Sequence, residues 1–182
     1  MGVGEVTKAV FLDRDGVLNH SIVHDGMPYP ARLEDLAIYA DAAGALARLK
    51  RAGYLLIVVT NQPDVARGTV TRAVVDEINA VLGAALPVDE FVVCAHDDAA
   101  NCACRKPKPG MVVDAAARYA VDLRQSFLIG DRWRDIDCGA SAGVRTVLID
   151  RGYRERPPDH APDFVAESLE AAADWILRGS GL

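Results

Sequence analysis

The 182-residue chain is 51% hydrophobic and only 6% aromatic, enough apolar material for one full core built mainly from Val, Leu, Ile and Ala. Its net charge of −6 and pI near 5.2 argue against nucleic-acid and anionic-membrane partners, which favour a basic face. A small phosphorylated metabolite stays possible, because a local cluster of Arg and Lys suffices for it. No apolar stretch reaches membrane-spanning length and the opening MGVGEVTK lacks a signal-peptide core, so a monomeric cytoplasmic protein is expected.

Apolar runs alternate with helical spacing along the chain. KAVFLD (8–13) reads as a buried strand, and DAAGALARLKRAG (41–53) as a helix stopped at Gly53. YLLIVVTN (54–61) is the next strand, followed by TRAVVDEINAVLGAAL (71–86), a helix with Thr71 as its N-cap. EFVVCAH (90–96), SFLIGD (126–131) and RTVLID (145–150) are further strands. Helices are expected at 109–121 and at 134–143, the second stopped at Gly143. RGYRERPPDHAPD (151–163) reads as a surface loop leading to a last helix near 168–178. This alternation predicts right-handed βαβ units and an α/β fold with a doubly wound parallel sheet. A single domain spanning 1–182 is expected, without a separate cap domain.

Ligands of such sheets bind beyond the carboxyl ends of the strands. Asp13, Thr60 and Asp131 stand at or next to three of those ends, so they are expected to meet in one crevice. Asp15 leaves the first strand two residues after Asp13, and Asp135 follows Asp131 within GDRWRD (130–135). Several carboxylates in a small volume repel unless a divalent cation sits among them, and oxygen-only ligands suit Mg²⁺. RKPKPG (105–110) supplies Arg105 and Lys106 opposite the acids, while Thr60 and Asn61 add a hydroxyl and an amide. A hydroxyl, a lysine and Mg²⁺ are equipment for phosphoryl transfer. Asp13 could then attack phosphorus and Asp15 could manage the proton. Gly16 would let the backbone turn sharply beside the phosphate.

Three of the four cysteines crowd into eleven residues beside a histidine, as Cys94-Ala-His96 and Cys102-Ala-Cys104. That pattern points to a metal rather than a disulfide framework. Cys138, in a small-residue helix, reads as a buried apolar group.

DRDG (13–16), Thr60, Lys106 and GDRWRD (130–135), in this order at strand ends, resemble the four motifs of the haloacid-dehalogenase (HAD) superfamily of phosphatases. The resemblance covers roughly residues 8 to 150. It implies a Mg²⁺-dependent phosphomonoesterase with Asp13 as nucleophile and Asp15 as general acid/base. Mg²⁺ would be held by the Asp13 carboxylate, the Asp15 backbone carbonyl and Asp131, with Asp135 supporting the metal shell. Thr60, Asn61 and Lys106 would bind the phosphoryl group or substrate, and Arg105 would recognise the substrate.

The cysteine–histidine cluster, about 94–104, resembles the zinc loop of the histidinol-phosphate and D-glycero-D-manno-heptose 1,7-bisphosphate phosphatases. Cys94, His96, Cys102 and Cys104 would close a tetrahedral site, which makes the implied Zn²⁺ structural. TNQPDVARG (60–68) and RKPKPGM (105–111) are similar to the heptose branch, while the five-residue gap in the zinc loop and GDRWRDI are closer to the histidinol-phosphate branch. Removal of the 7-phosphate of the heptose bisphosphate is the leading expectation, with histidinol phosphate or another sugar phosphate as alternatives. The segment 20–30 departs from the heptose pattern, so no role is assigned to Ser21 or His24. Two non-enzyme readings rank lower. A receiver-like phospho-acceptor domain would carry an aspartate after the third strand, where Cys94-x-His96 stands. A zinc-knuckle module would bind nucleic acid through a basic, aromatic surface this chain lacks.

Overall fold

The computed structural model describes residues 6–24, 27–29 and 33–179. Eight strands and five helices follow in order: β1 (Lys8–Leu12), β2 (Ile22–His24), β3 (Met27–Tyr29), α1 (Ala42–Arg51), β4 (Tyr54–Asn61), α2 (Arg72–Ala85), β5 (Glu90–Cys94), α3 (Gly110–Tyr119), β6 (Phe127–Gly130), α4 (Trp133–Ala142), β7 (Arg145–Ile149), β8 (Phe164–Ala166) and α5 (Leu169–Gly179). Six strands form one parallel sheet in the order β5-β4-β1-β6-β7-β8.

The strands alternate with period two, which sends their side chains to two separate apolar layers. Val10, Leu12, Leu56, Val58 and Ile129 pack with α1, α2 and α5, through residues such as Leu46, Ile78 and Ile176. Ala9, Phe11, Ile57, Val59 and Leu128 face the other way, onto Met111, Val112 and Ala115 of α3 and Cys138 of α4. β1 is central and fully buried from Ala9 to Leu12, as that unbroken apolar run requires.

Helix ends follow the expected chemistry. The Thr71 hydroxyl accepts from the Val74 N–H at 3.3 Å, and Gly143 closes α4 in the left-handed region at φ +82°. Gly53 turns the chain out of α1 at φ +83°.

Three strands were not expected. A short strand, β8, adds a sixth member to the sheet just where 151–163 was read as a loop running into the last helix. Three residues are too few to show periodicity, and Asp163 signals the turn instead, its Oδ2 accepting from the Thr146 N–H at 2.7 Å. β2 and β3 form an antiparallel hairpin within 20–30, a segment to which the sequence assigned no secondary structure. β5 is half-buried on four of its five residues, being a sheet edge rather than an inner strand.

Because β1 lies between β4 and β6, the chain reverses its winding direction at β1, and a crevice opens beyond its carboxyl end. No helix among the described residues is long and apolar enough to cross a membrane. Truncating Leu46, fully buried where α1 packs against the sheet and α5, is expected to cost about 2–5 kcal/mol, read as a lower denaturant midpoint at unchanged slope.

Candidate active site

β1 delivers Asp13 to the crevice, and the ladder continues one step beyond the strand through Asp13 N–H to Ile129 O at 2.9 Å. Two donors then fix one carboxylate oxygen: the Arg14 N–H at 2.8 Å and the Lys106 Nζ at 2.9 Å, both to Asp13 Oδ1. The other oxygen is left to the pocket.

Past Asp13 the chain folds into a tight loop, with the N–H groups of Val17, Leu18 and Asn19 converging on Arg14 O. Gly16 sits at φ +86°, and a Cβ there would collide with the Asp131 carboxylate. Glycine is thus required twice, by the turn and by the close approach. Asp15 is the most hydrogen-bonded acid of the site. Arg14 reaches it through Nε at 3.2 Å and NH2 at 2.9 Å, Asn19 Nδ2 at 2.9 Å and Gln62 Nε2 at 2.9 Å.

β4 contributes Thr60, buried, whose Oγ1 accepts from Gln62 Nε2 at 2.9 Å. That contact uses a lone pair and frees the hydroxyl proton to donate elsewhere. Asn61 clamps the backbone of Lys106 at both ends, with its Nδ2 donating to Lys106 O at 3.0 Å and its Oδ1 accepting the Lys106 N–H at 3.1 Å. Asn61 also lines the cavity, so the amide expected to meet the substrate holds the lysine loop as well.

Lys106 is 2% exposed and spends all three ammonium protons: on Val59 O at 2.8 Å, Asp135 Oδ1 at 2.6 Å and Asp13 Oδ1 at 2.9 Å. Burial alone would depress its pKa, but the facing carboxylates of Asp13 and Asp135 outweigh that and hold it above the usual lysine range. Asp135 accepts the Arg132 N–H at 3.1 Å on its second oxygen, at the start of α4. Asp135 is therefore occupied on both oxygens by protein donors.

Asp131 is different. Both of its oxygens are buried and neither meets a donor at hydrogen-bond geometry; the Tyr153 hydroxyl is the nearby polar group. Burial, followed by the charges of Asp13 and Asp135, pushes its carboxyl well above the usual range. Burial likewise raises Asp13 to about 6, against the pull of Lys106. A buried carboxylate with no donor is costly. Carboxylate oxygens of Asp13, Asp131 and Asp135 lie within 4.8 Å of one another, and an all-oxygen set of this kind fits a hard divalent cation.

The second cluster also forms. Sγ of Cys94 lies 3.7 Å from that of Cys102 and 3.2 Å from that of Cys104; Cys102 and Cys104 are 3.3 Å apart. His96 Nδ1 is 3.4 Å from Cys104 Sγ. Such edges are far too long for a disulfide and close to those of a tetrahedron with metal–sulfur bonds of about 2.3 Å. Burial and the adjoining Cys94 and Cys102 thiols push Cys104 up to about 12, so a cation is what would let the three ionise together. The loop packs tightly on α3, since a Cβ at Gly110 would strike the Ala103 carbonyl.

These elements enclose a cavity of about 370 Å³ that includes Asp13, Asp15, Thr60 and Lys106 at its base and Arg67, Arg105, Arg132 and Arg134 in its walls. Asp98 on the cysteine loop holds Arg105 at 2.9 Å and Arg134 at 3.4 Å. Ser21 also lines the cavity, whereas the side chain of His24 lies outside the described residues. Lys108 stays out of the site, bonded to Asn101 O at 3.1 Å. Trp133 packs under the guanidinium groups of Arg134 and Arg156, and Cys138 is buried as expected.

Sequence reasoning missed Arg14, Asn19 and Gln62 as supports of Asp15. Gln62 carried a usable signal, two residues beyond Thr60 as the strand ends.

A family model described as HAD-hydrolase-like matches residues 103–172. The D-glycero-β-D-manno-heptose-1,7-bisphosphate 7-phosphatase of Salmonella typhi is 33% identical, the alignment covering 93% of this chain and 89% of that protein. The D-glycero-D-manno-heptose-1,7-bisphosphate 7-phosphatase of Thermosynechococcus vestitus is 34% identical, with coverages of 92% and 94%. The crystal structure of D,D-heptose 1,7-bisphosphate phosphatase from B. bronchiseptica, complexed with magnesium and phosphate, aligns at a TM-score of 0.80 and 31% identity, covering 96% of this chain and 99% of that one.

The carboxylate cluster yields a linkage prediction. Without a cation, Asp13 titrates near 6 rather than 3.8, so it favours the folded state at low pH and loses that contribution as pH rises through about 6. Millimolar Mg²⁺ is expected to raise the melting temperature, by more at about pH 7.5 than at about pH 5, where bound protons must first be displaced. Asp131→Asn is expected to abolish most of that increment in the same thermal scans.

Proposed function

The chain belongs to the HAD-like family of heptose-bisphosphate 7-phosphatases, and on that premise we propose that it is a phosphomonoesterase removing the 7-phosphate of D-glycero-D-manno-heptose 1,7-bisphosphate. One observation carries the reading: Asp13, Thr60 and Lys106 line one cavity beyond the end of β1, with the buried Asp131 carboxylate beside Asp13.

Asp13 is the nucleophile. Lys106 and the Arg14 N–H pin its Oδ1, so Oδ2 points to phosphorus without rotational search. Attack forms an Asp13–phosphate bond and breaks the phosphorus–oxygen bond to the sugar, whose oxygen takes a proton from Asp15. Asp15 then removes a proton from water, the water oxygen bonds to phosphorus, and the Asp13–phosphate bond breaks. Sugar and inorganic phosphate leave, and Asp15 is protonated again. The Thr60 hydroxyl donates to a phosphoryl oxygen throughout, while Lys106 balances the Asp13 charge. Mg²⁺ would be held by Asp13, Asp131 and the Asp15 backbone carbonyl, and when bound it neutralises charge on the phosphoryl oxygens. Arg105 and Arg132 in the cavity wall bind the part of the substrate outside the cradle. Zn²⁺ on Cys94, His96, Cys102 and Cys104 would keep the loop that carries Arg105 and Lys106 in place.

The names of relatives at 33% and 34% identity support heptose bisphosphate over histidinol phosphate. The test is a comparison of kcat/KM for the heptose bisphosphate, histidinol phosphate and a panel of sugar monophosphates. A preference of at least about 10²-fold for the first, roughly 2.7 kcal/mol of transition-state discrimination, is expected. In the same assay Asp13→Asn should lose at least about 10³-fold in kcat while keeping the wild-type circular dichroism; turnover near wild type would show that another group attacks.

Metal analysis should find one zinc per chain. Cys102→Ser is expected to lower both zinc content and melting temperature, since structural zinc contributes to folding directly. A variant with full zinc loss and an unchanged melting curve would contradict the structural role.

A further inference from the structure

The segment after β7 crosses the site as a strap, and its anchors fall on residues next to the chemistry. Arg151 donates from Nε to Gly16 O at 2.9 Å, and its guanidinium lies 4.1 Å from the Tyr39 ring. Tyr153 brings its hydroxyl beside Asp131. Arg156 stacks 3.6 Å above Trp133 and reaches the buried Asp137 of α4 at 3.3 Å. That carboxylate also accepts the N–H groups of Asp159 and His160 at 2.8 and 3.1 Å.

Between these anchors stands Glu155, its side chain only 9% exposed. It accepts from Arg132 Nε at 3.0 Å and from Arg132 NH2, a two-bond fork. Arg132 is fixed at its backbone as well, by the N–H bond to Asp135. Among the described residues its NH1 has no partner, and the side chain lines the cavity. An arginine on a cavity wall ordinarily samples many rotamers, and ordering it on binding costs affinity. A buried acid is a poor stabiliser on its own account, so its placement on a strap tied down at both sides calls for another reason.

We propose that Glu155 is a positioning residue of this active site: its strap-held carboxylate aims Arg132 at the hydroxyl-bearing part of the substrate that lies outside the phosphoryl cradle. Charge is part of the device. With Glu155 beside it, Arg132 offers hydrogen-bond donors without a net positive charge, and so does not draw the reacting phosphate away from Thr60 and Lys106. The inference rests on the phosphatase reading but not on which sugar is the substrate.

The experiment compares wild type, Glu155→Ala, Glu155→Gln, Arg132→Ala and the Glu155→Ala/Arg132→Ala double variant on two substrates. One is D-glycero-D-manno-heptose 1,7-bisphosphate; the other is p-nitrophenyl phosphate, whose leaving group has no hydroxyls to bind. Glu155→Ala is expected to raise KM for the bisphosphate about tenfold with little change in kcat, and to lower kcat/KM for p-nitrophenyl phosphate by about twofold at most. Adding it to Arg132→Ala should cost nothing more, because the two residues act as one unit. Glu155→Gln keeps the shape and one acceptor oxygen, so it should retain part of the affinity and serves as the test if the alanine variant does not fold. Equal losses on both substrates, losses that multiply in the double variant, or an unchanged KM would each overturn the proposal. If wild type shows no preference for the heptose bisphosphate, the substrate assignment alone has failed. The comparison is then run with the best sugar phosphate of the panel.

Discussion

The buried ammonium of Lys106 is the constraint around which the site is organised. An isolated charge at 2% exposure would be prohibitive, and it survives here because Val59 O, Asp13 and Asp135 take its three protons. The three partners come from β4, from the end of β1 and from the first turn of α4. One side chain therefore ties together the strand ends that flank the crevice. Deleting one partner of such a group leaves the others as uncompensated buried charges, a cost of about 3–5 kcal/mol. The same bonds that hold the fold at this point also set the orientation of the Asp13 carboxylate.

Lys106 can occupy that position only if its own loop is held, and two devices hold it. Asn61 grips its backbone from β4. The cysteine–histidine cluster, two residues upstream at Cys104, pins the loop to the edge strand β5 and against the start of α3. The loop is otherwise short of apolar anchors, with Asp97, Asp98 and Asn101 among its residues. A metal held by these four residues would substitute for a core that a surface loop of this composition cannot build. Asp98 belongs to the same loop and orients Arg105 and Arg134, so the cluster governs the cavity wall as well as its base.

Much of this was legible in the sequence because it follows from strand ends. A parallel sheet forces its ligands to one edge, so Asp13, Thr60 and Asp131 could be grouped before any coordinates. Spacing alone grouped the cysteines. Arg14 as a support of Asp15 was not legible, because it is a charged residue whose complete burial rests on Asp15 itself and on Asn79 of a distant helix. Glu155 and Tyr153 were hidden for a related reason. Their segment is rich in proline and charge, which reads as solvated loop, and only the fold reveals that Glu155 turns inward onto Arg132 and Tyr153 toward Asp131. β8 was missed because three residues carry no period, and the hold of Asn61 on the Lys106 backbone was hidden because a strand-end amide looks the same in sequence whatever it binds.

Charge accounting explains how an acidic protein accommodates a dianionic group. At the base, Asp13, Asp15, Asp131 and Asp135 face only Lys106 and Arg14, which leaves two negative charges. A divalent cation held there would cancel them and so make the cradle receptive to phosphate. In the walls, Arg67, Arg105, Arg132 and Arg134 face Asp64, Asp98 and Glu155, leaving one positive charge. That excess is concentrated where one carboxylate, Asp98, serves two guanidinium groups, at the cysteine-loop side. The Arg132 side is neutral. The cavity therefore has an electrically attractive wall and a hydrogen-bonding wall on either side of the phosphoryl cradle. A ligand carrying a second anionic group at one end and hydroxyls along its length satisfies both, whereas a monophosphate with an apolar leaving group satisfies neither.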